Sequence, residues 1–360
     1  MGVTGRKSGM TNCFGKRCIK PMNNKFINLQ YTTIKTALPD FIYGDLRDFV
    51  KNINLYQPQP KILVEKLAKK HHLPCEMIYL TAGIDEAIQM FILAYGENTF
   101  VFTPTYIVYR DVLEYGKKLN TVFSIRGMDF VIETKNLPEA TLICLPNPNN
   151  PLGFTAQEKV LELVGNNSQA IVVVDEAYGE FAHLSVINEV KNYPNLAVFR
   201  SFSKAYGMAG VRLGYIVAAP EIITKVKNKT QWSNVSYLAV GAAVSALEHE
   251  EYFSKMREEI NESREGFVAF LHGLNFKVFP SKINAVLLKF SAADCAYKFF
   301  EHLKKENIIV SRGNGNSNFG LDDTFVRIAI GNQEQMEKVR QVIADFKVKF
   351  PAIYHCSGNL

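Results

Sequence analysis

Between residues 80 and 220 the chain alternates short apolar runs with amphipathic stretches. The runs are Thr99–Phe102, Thr121–Ile125, Thr141–Leu145, Ala170–Val174, Leu196–Arg200 and Leu213–Ala218. Most are apolar throughout rather than alternating in polarity, which is the pattern of parallel strands buried on both faces. Between them the spacing predicts helices, among them Ile84–Ala94, with Ile84, Ala87, Ile88 and Phe91 on one face, and Glu158–Val164. Strands and helices in alternation predict a three-layer αβα domain around a mostly parallel sheet. In such sheets ligands bind beyond the carboxyl ends of the strands, and that is where chemistry is to be sought.

After residue 245 the character changes. A charged stretch from Glu248 to Arg264 reads as a long connecting helix. Strands are predicted at Phe276–Phe279, Ala285–Phe290, Ile308–Val310 and Phe325–Ile330, with helices at Ala293–Glu306 and Gln333–Phe346. This is a smaller α+β unit. The expected organisation is a basic, disordered extension (1–21), a segment packing on the smaller domain (22–48), a large domain (49–250) and a small C-terminal domain (251–360).

Composition narrows the class. With 360 residues and 47% hydrophobic content, the chain can bury a core of this size. Of the formal net charge of +6, Arg6, Lys7, Lys16, Arg17 and Lys20 account for five, and no acid lies among the first 21 residues. The remainder is close to neutral, which gives no electrostatic footprint for nucleic acid. The head lacks the apolar stretch of a secretory signal. Arg6 stands where a myristoylation site requires Ser or Thr. No run of about 18 apolar residues suggests a membrane span. A cytoplasmic enzyme acting on small molecules is expected. The six cysteines form no CxxC pair, and the adjacent His71 and His72 would point about 100° apart on a helix, so no metal is expected.

The strand ends carry the candidate chemistry. The run Ala170–Val174 terminates in Asp175-Glu176-Ala177-Tyr178. A carboxylate at a buried strand tip needs a cation or strong donors, and the protonated nitrogen of a pyridine cofactor would serve. Capping the following loop is an equally good account of Asp175 alone. The run Leu196–Arg200 leads into Ser201-Phe202-Ser203-Lys204, with Arg212 eight residues on. Hydroxyls with an arginine fork suit a phosphate, and a lysine beside them is the residue type that forms imines with carbonyls. Taken singly, Lys204 would be an ordinary solvated loop lysine. Gly83 precedes the helix beginning at Ile84 and Asp85, whose free amides favour an anion. Asn150 lies in the loop 146–153, which by itself reads as an Asn/Pro-rich turn.

Together these stretches resemble the class I/II aminotransferases of pyridoxal-phosphate fold-type I, and most closely their histidinol-phosphate aminotransferase subgroup. The matching segments are NLYQPQP (54–60), TAGIDEAI (81–88), FTPTYIVY (102–109), PNPNNPLG (146–153), VVVDEAYGEF (172–181), SFSKAYGMAGVRLGY (201–215) and FVRIAIG (325–331). The resemblance implies that pyridoxal 5'-phosphate is the cofactor and that Lys204 carries it as a Schiff base. Asp175 would hold the ring nitrogen protonated, Tyr178 and Asn150 would bond the ring hydroxyl, and Tyr106 would stack on the ring. Gly83, the amides of Ile84 and Asp85, Ser201, Ser203 and Arg212 would hold the phosphate. Tyr56 would reach the site of a second copy of the chain, which implies a homodimer. Arg327 would clamp the substrate α-carboxylate, and Arg312 would lie near the distal group. The segment Lys35–Gly44 departs from the family's Asn-Glu-Asn-Pro motif. Transamination of an amino acid with a small, phosphorylated or unphosphorylated keto substrate is the expected activity. A phospho-amino-acid decarboxylase shares the same cofactor set, and a non-catalytic regulator on this fold is the remotest alternative.

Overall fold

The computed structural model describes residues 26–313 and 318–351. The head 1–21, with Cys13 and Cys18, and the tail containing Cys356 lie outside them.

The large sheet has seven strands: β1 (Ile78–Thr81), β2 (Asn98–Thr103), β3 (Lys118–Phe123), β4 (Leu142–Pro146), β5 (Ile171–Asp175), β6 (Leu196–Ser201) and β7 (Gly214–Ala218). Their order is β1-β7-β6-β5-β4-β2-β3. Only β7 runs against its neighbours. The other pairs, β6 with β5, β5 with β4, β4 with β2 and β2 with β3, are parallel. The central strands are buried at almost every position, as their unbroken apolar runs require. The architecture is α/β with a mostly parallel sheet. The strand β1 has no counterpart among the predicted runs.

Among the described residues eight longer helices accompany the sheets: α1 (Asp40–Val50), α2 (Lys61–His71), α3 (Ile84–Tyr95), α4 (Gln157–Asn166), α5 (Tyr237–Glu248), α6 (Glu250–Gly273), α7 (Ala293–Lys305) and α8 (Gln333–Lys349). The charged stretch foreseen from Glu248 is α6, and it leads into a second, antiparallel sheet. Its strands β8 (Lys277–Val278), β9 (Ala285–Lys289), β10 (Ser311–Arg312) and β11 (Phe325–Ala329) take the order β8-β9-β11-β10. A separate apolar cluster containing Phe267, Val286, Phe299, Val326 and Phe346 forms the core of this unit.

Of the expected segment 22–48, the described residues 26–48 divide between the two units instead of packing on the smaller one alone. Ile27 and Asn28 pair in parallel with Ile308 and Ile309. Helix α1 lies on α5, and a Cβ at Gly241 would come within 2.5 Å of the Phe49 ring. The small residues of α5 admit that ring, and this close approach places α1 on the large unit. Among the described residues no helix is long and apolar enough to cross a membrane.

Candidate active site

The carboxyl ends of β4, β5 and β6 open onto one cavity, whose lining includes Asn150, Asp175, Ser201, Ser203 and Lys204. Asp175 is the last residue of β5 and is buried. Its Oδ2 accepts the Tyr109 hydroxyl proton at 3.0 Å, and its Oδ1 accepts the Ala177 amide at 3.0 Å. Burial raises its pKa to about 6, against the opposing pull of these two donors and of Lys204. The carboxylate is therefore a costly charge at this point, and a nearby cation would relieve it.

A second cluster assembles where β1 gives way to α3. Gly83, at φ +84°, makes the turn, and the Glu86 carboxylate fixes it. Glu86 accepts the Ala82 amide at 2.6 Å, the Asn234 side-chain amide at 2.7 Å and the Thr230 hydroxyl. The first amides of α3, at Ile84 and Asp85, have no intrahelical acceptor. Arg212 approaches the same turn, with Nη2 3.0 Å from Asp85 Oδ2. Ser201 Oγ accepts the Ser203 amide at 3.0 Å, which orients the loop bearing both hydroxyls. Amides, hydroxyls and a guanidinium thus gather at one end of the cavity, the donor set of an oxyanion site.

Lys204 lines the same cavity. Its Nζ donates to Thr32 Oγ1 at 3.0 Å and lies 5.6 Å from the centre of the Tyr178 ring. Thr32 Oγ1 is also 2.7 Å from the Tyr178 hydroxyl. Tyr106 lines the cavity, and burial, then Asp85, push its phenol well above the usual range.

Arg327 enters from the smaller unit. It sits mid-strand in β11, is 1% exposed and lines the same cavity. Nη1 donates to Asn150 Oδ1 and Asn318 Oδ1, each at 2.8 Å, and Nη2 donates to the Gln30 carbonyl at 2.7 Å. These bonds fix the plane of the guanidinium, and burial lowers its pKa.

One expected site residue lies elsewhere. Arg312 does not face the cavity. In the β10–β11 ladder Ser311 stands opposite Arg327 while Arg312 stands opposite Val326, a core residue of the smaller unit. Successive side chains on a strand point to opposite faces, so Arg312 is turned away. It lies 3.6 Å from Asp323 and over the Tyr297 ring at 5.3 Å. Tyr56 is 82% exposed and tilts against Trp232, with ring centres 5.8 Å apart, outside the cavity of its own chain.

Other contributors carry weaker signals in the sequence. Tyr109 is three residues after Tyr106, in a segment that reads as apolar. Thr32 comes from the N-terminal segment, far from the strand ends in the chain. Arg200, at the end of an apolar run, forms a buried ion pair with Glu176 at 2.8 Å and with Glu180 at 2.6 Å. A charge ending each of two adjacent buried runs is the signal that would have paired Arg200 with Glu176.

The sequence pattern of the family Aminotransferase class I and II matches residues 25–343. The chain belongs to this family. It is an aminotransferase, and its cofactor is pyridoxal phosphate. A histidinol-phosphate aminotransferase of Methanosarcina mazei is 36% identical over 288 residues, covering 77% of this chain and 76% of the relative. The crystal structure of the histidinol-phosphate aminotransferase from Clostridium acetobutylicum has a TM-score of 0.82 at 24% identity, covering 90% of this chain and 99% of that one. The L-threonine-O-3-phosphate decarboxylase from Porphyromonas gingivalis has a TM-score of 0.76 at 25% identity, covering 89% and 99%. The fold is that of the fold-type I enzymes.

The cavity suits the cofactor on chemical grounds. Its oxyanion donors match a phosphate, its buried acid matches a protonated pyridine nitrogen, and an amine capable of joining a carbonyl lines the same cavity.

Proposed function

We propose that Lys204 is the point of covalent attachment for pyridoxal phosphate, and that the enzyme transfers an amino group between histidinol phosphate, or a phosphorylated amino compound of similar size, and a keto acid. The observation that carries this reading is the convergence of Lys204, Asp175 and Arg327 on one cavity. When bound, the cofactor supplies an electron sink for the charge left at the substrate Cα.

Asp175 would hold a proton on the ring nitrogen, because a cation there offsets the cost of its buried charge. The amides of Ile84 and Asp85, with Ser201, Ser203 and Arg212, would hold the phosphate, and Gly83 leaves room for the Arg212 guanidinium. Tyr106 would pack on the ring, while Asn150 and Tyr178 would bond its hydroxyl. Lys204 Nζ would be the group that takes up and gives back the proton moved in the transfer. Arg327 receives the α-carboxylate of the amino-acid partner in a bidentate pair, held flat by Asn150, Asn318 and the Gln30 carbonyl.

In this reading the enzyme acts as a cytoplasmic homodimer, with Tyr56 completing the site of a second copy. The exposed Ile53, Leu55, Tyr56 and Trp232 support such a contact, since exposed apolar side chains of this size favour burial. Cys75 and Cys144, which form no disulfide among the described residues, suit a reducing compartment.

The test is incubation of the holoenzyme with histidinol phosphate and a panel of phosphorylated amino acids. Conversion of the cofactor to its amine form without release of carbon dioxide supports the reading. Release of carbon dioxide from a phospho-amino acid, with no amine form accumulating, would make the enzyme a decarboxylase and overturn it.

A further inference from the structure

Thr32 has no part in the proposed chemistry, yet its hydroxyl meets two of the groups that carry it. The residue is buried and lines the cavity. Its Oγ1 accepts an N–H of Lys204 at 3.0 Å and lies 2.7 Å from the Tyr178 hydroxyl. Among the described residues this oxygen is the one hydrogen-bond acceptor of Lys204 Nζ.

The backbone beneath Thr32 is fixed at successive residues. The Leu29 amide donates to the Ile309 carbonyl at 2.7 Å, and the Leu29 carbonyl accepts the Ala329 amide at 3.0 Å. The Gln30 carbonyl receives Arg327 Nη2, and the Thr32 carbonyl accepts Asn284 Nδ2 at 3.0 Å. Ile34 packs against Gly207, three residues after Lys204, where a Cβ would approach it to 3.3 Å. A β-branched side chain on such a backbone has a stiff χ1. Oγ1 is therefore set in place by its own surroundings, and the Tyr178 contact restrains it further.

The lysine is the mobile partner, since its amine sits on a flexible stem. It can join a carbonyl only as a neutral amine with a free lone pair. An amine that gives one N–H to Thr32 keeps that lone pair directed away from the threonine oxygen and loses rotational freedom at the end of its stem. Ordering a nucleophile in advance removes part of the entropic barrier to its reaction.

We propose that Thr32 is a positioning residue for Lys204, which holds the amine whenever it is not bonded to the cofactor and so speeds its attachment. The proposal rests on the reading of Lys204 as the attachment point.

The test follows attachment itself, in which the Nζ lone pair bonds the aldehyde carbon and the two amine hydrogens leave with the aldehyde oxygen as water. The full-length enzyme, freed of cofactor, is mixed with pyridoxal phosphate at a series of concentrations, and the absorption of the product is followed in time. The half-saturating concentration reports affinity before attachment, and the limiting rate reports attachment. Thr32→Val keeps the shape and removes the acceptor. It should lower the limiting rate about tenfold, the worth of one hydrogen bond to an amine. The half-saturating concentration should be nearly unchanged. Thr32→Ala should match Thr32→Val, and Thr32→Ser, which keeps the hydroxyl, should retain most of the wild-type rate. In a Lys204→Ala background, Thr32→Val should leave the pyridoxal-phosphate dissociation constant as it was. Wild-type limiting rates in Thr32→Val and Thr32→Ala, or a Thr32→Ser protein as slow as either, would overturn the proposal. So would weaker binding in the Lys204→Ala background, because Thr32 would then act without the lysine. Borohydride fixation of the wild type reads the underlying assignment separately. An adduct on another lysine removes the Lys204 reading, whereas an adduct on Lys204 with unchanged rates in the variants removes only the role of Thr32.

Discussion

The Tyr109 hydroxyl donates to Asp175 Oδ2 at 3.0 Å, and both groups are buried. This bond and the Ala177 amide oppose the desolvation that raises the pKa of Asp175 to about 6. Removing the phenol leaves a buried carboxylate oxygen without its donor, at a cost of about 1–3 kcal/mol to the charged form. Tyr109→Phe should raise the Asp175 pKa further, weaken cofactor binding by about tenfold and move the acidic limb of the activity profile to higher pH. A pH titration of kcat with the cofactor dissociation constant checks both. An unchanged profile and affinity would remove Tyr109 from this role.

Gly83 turns the chain at φ +84°, and a Cβ there would come within 2.7 Å of Arg212 Nη2. The guanidinium is the mobile partner, so Gly83→Ala should displace it from the phosphate end and strain the turn by about 1–3 kcal/mol. Cofactor affinity should fall by about tenfold or more, because a charge-assisted contact is lost. Equilibrium dialysis measures the change. Wild-type affinity in Gly83→Ala would show that Arg212 does not hold the phosphate.

Arg200 joins Glu176 and Glu180 in a buried cluster beside Asp175 in the chain. Replacing it with Met strands two buried acids, and breaking such a pair costs about 3–5 kcal/mol. Urea unfolding should detect a loss of that order, partly recovered when Glu176→Gln is added. A neutral Arg200→Met would mean that the cluster contributes no net stability.

His71 is buried, and its Nε2 lies 2.9 Å from the Tyr215 hydroxyl. Burial, reinforced by the Arg200 and Lys70 charges, lowers its pKa to about 3 from an ordinary 6.5. The unfolded chain therefore takes up the proton first as the pH falls. The contribution of neutral His71 to stability is complete above pH 6.5 and declines from there toward pH 3. His71→Gln should flatten this part of the unfolding free energy against pH. An identical slope in the variant would contradict the assignment.

Much of the large sheet was legible because the buried parallel strands are unbroken apolar runs. Its edge strand β1 escaped because Ile-Tyr-Leu-Thr is short and has no period of its own. Helix α5 escaped because YLAVGAAVSALE lacks a polar face: it is buried along most of its length, so amphipathic spacing has nothing to mark. At the site, Asp175, Lys204 and Arg212 were legible as charges or hydroxyls at strand ends. Thr32 was not, since an ordinary threonine gains its position only when the N-terminal segment brings it to the cavity lining. Arg312 was misplaced because the motif fixes the residue type but not the β10 register, and a shift of one residue selects the opposite face.

The central claim is that Lys204 carries the cofactor. Borohydride reduction of the holoenzyme, followed by proteolysis and peptide mass analysis, tests it most directly. The account predicts one pyridoxyl-phosphate adduct, on the Lys204 Nζ, and none in Lys204→Ala. An adduct on another lysine, or full turnover by Lys204→Ala, would contradict it.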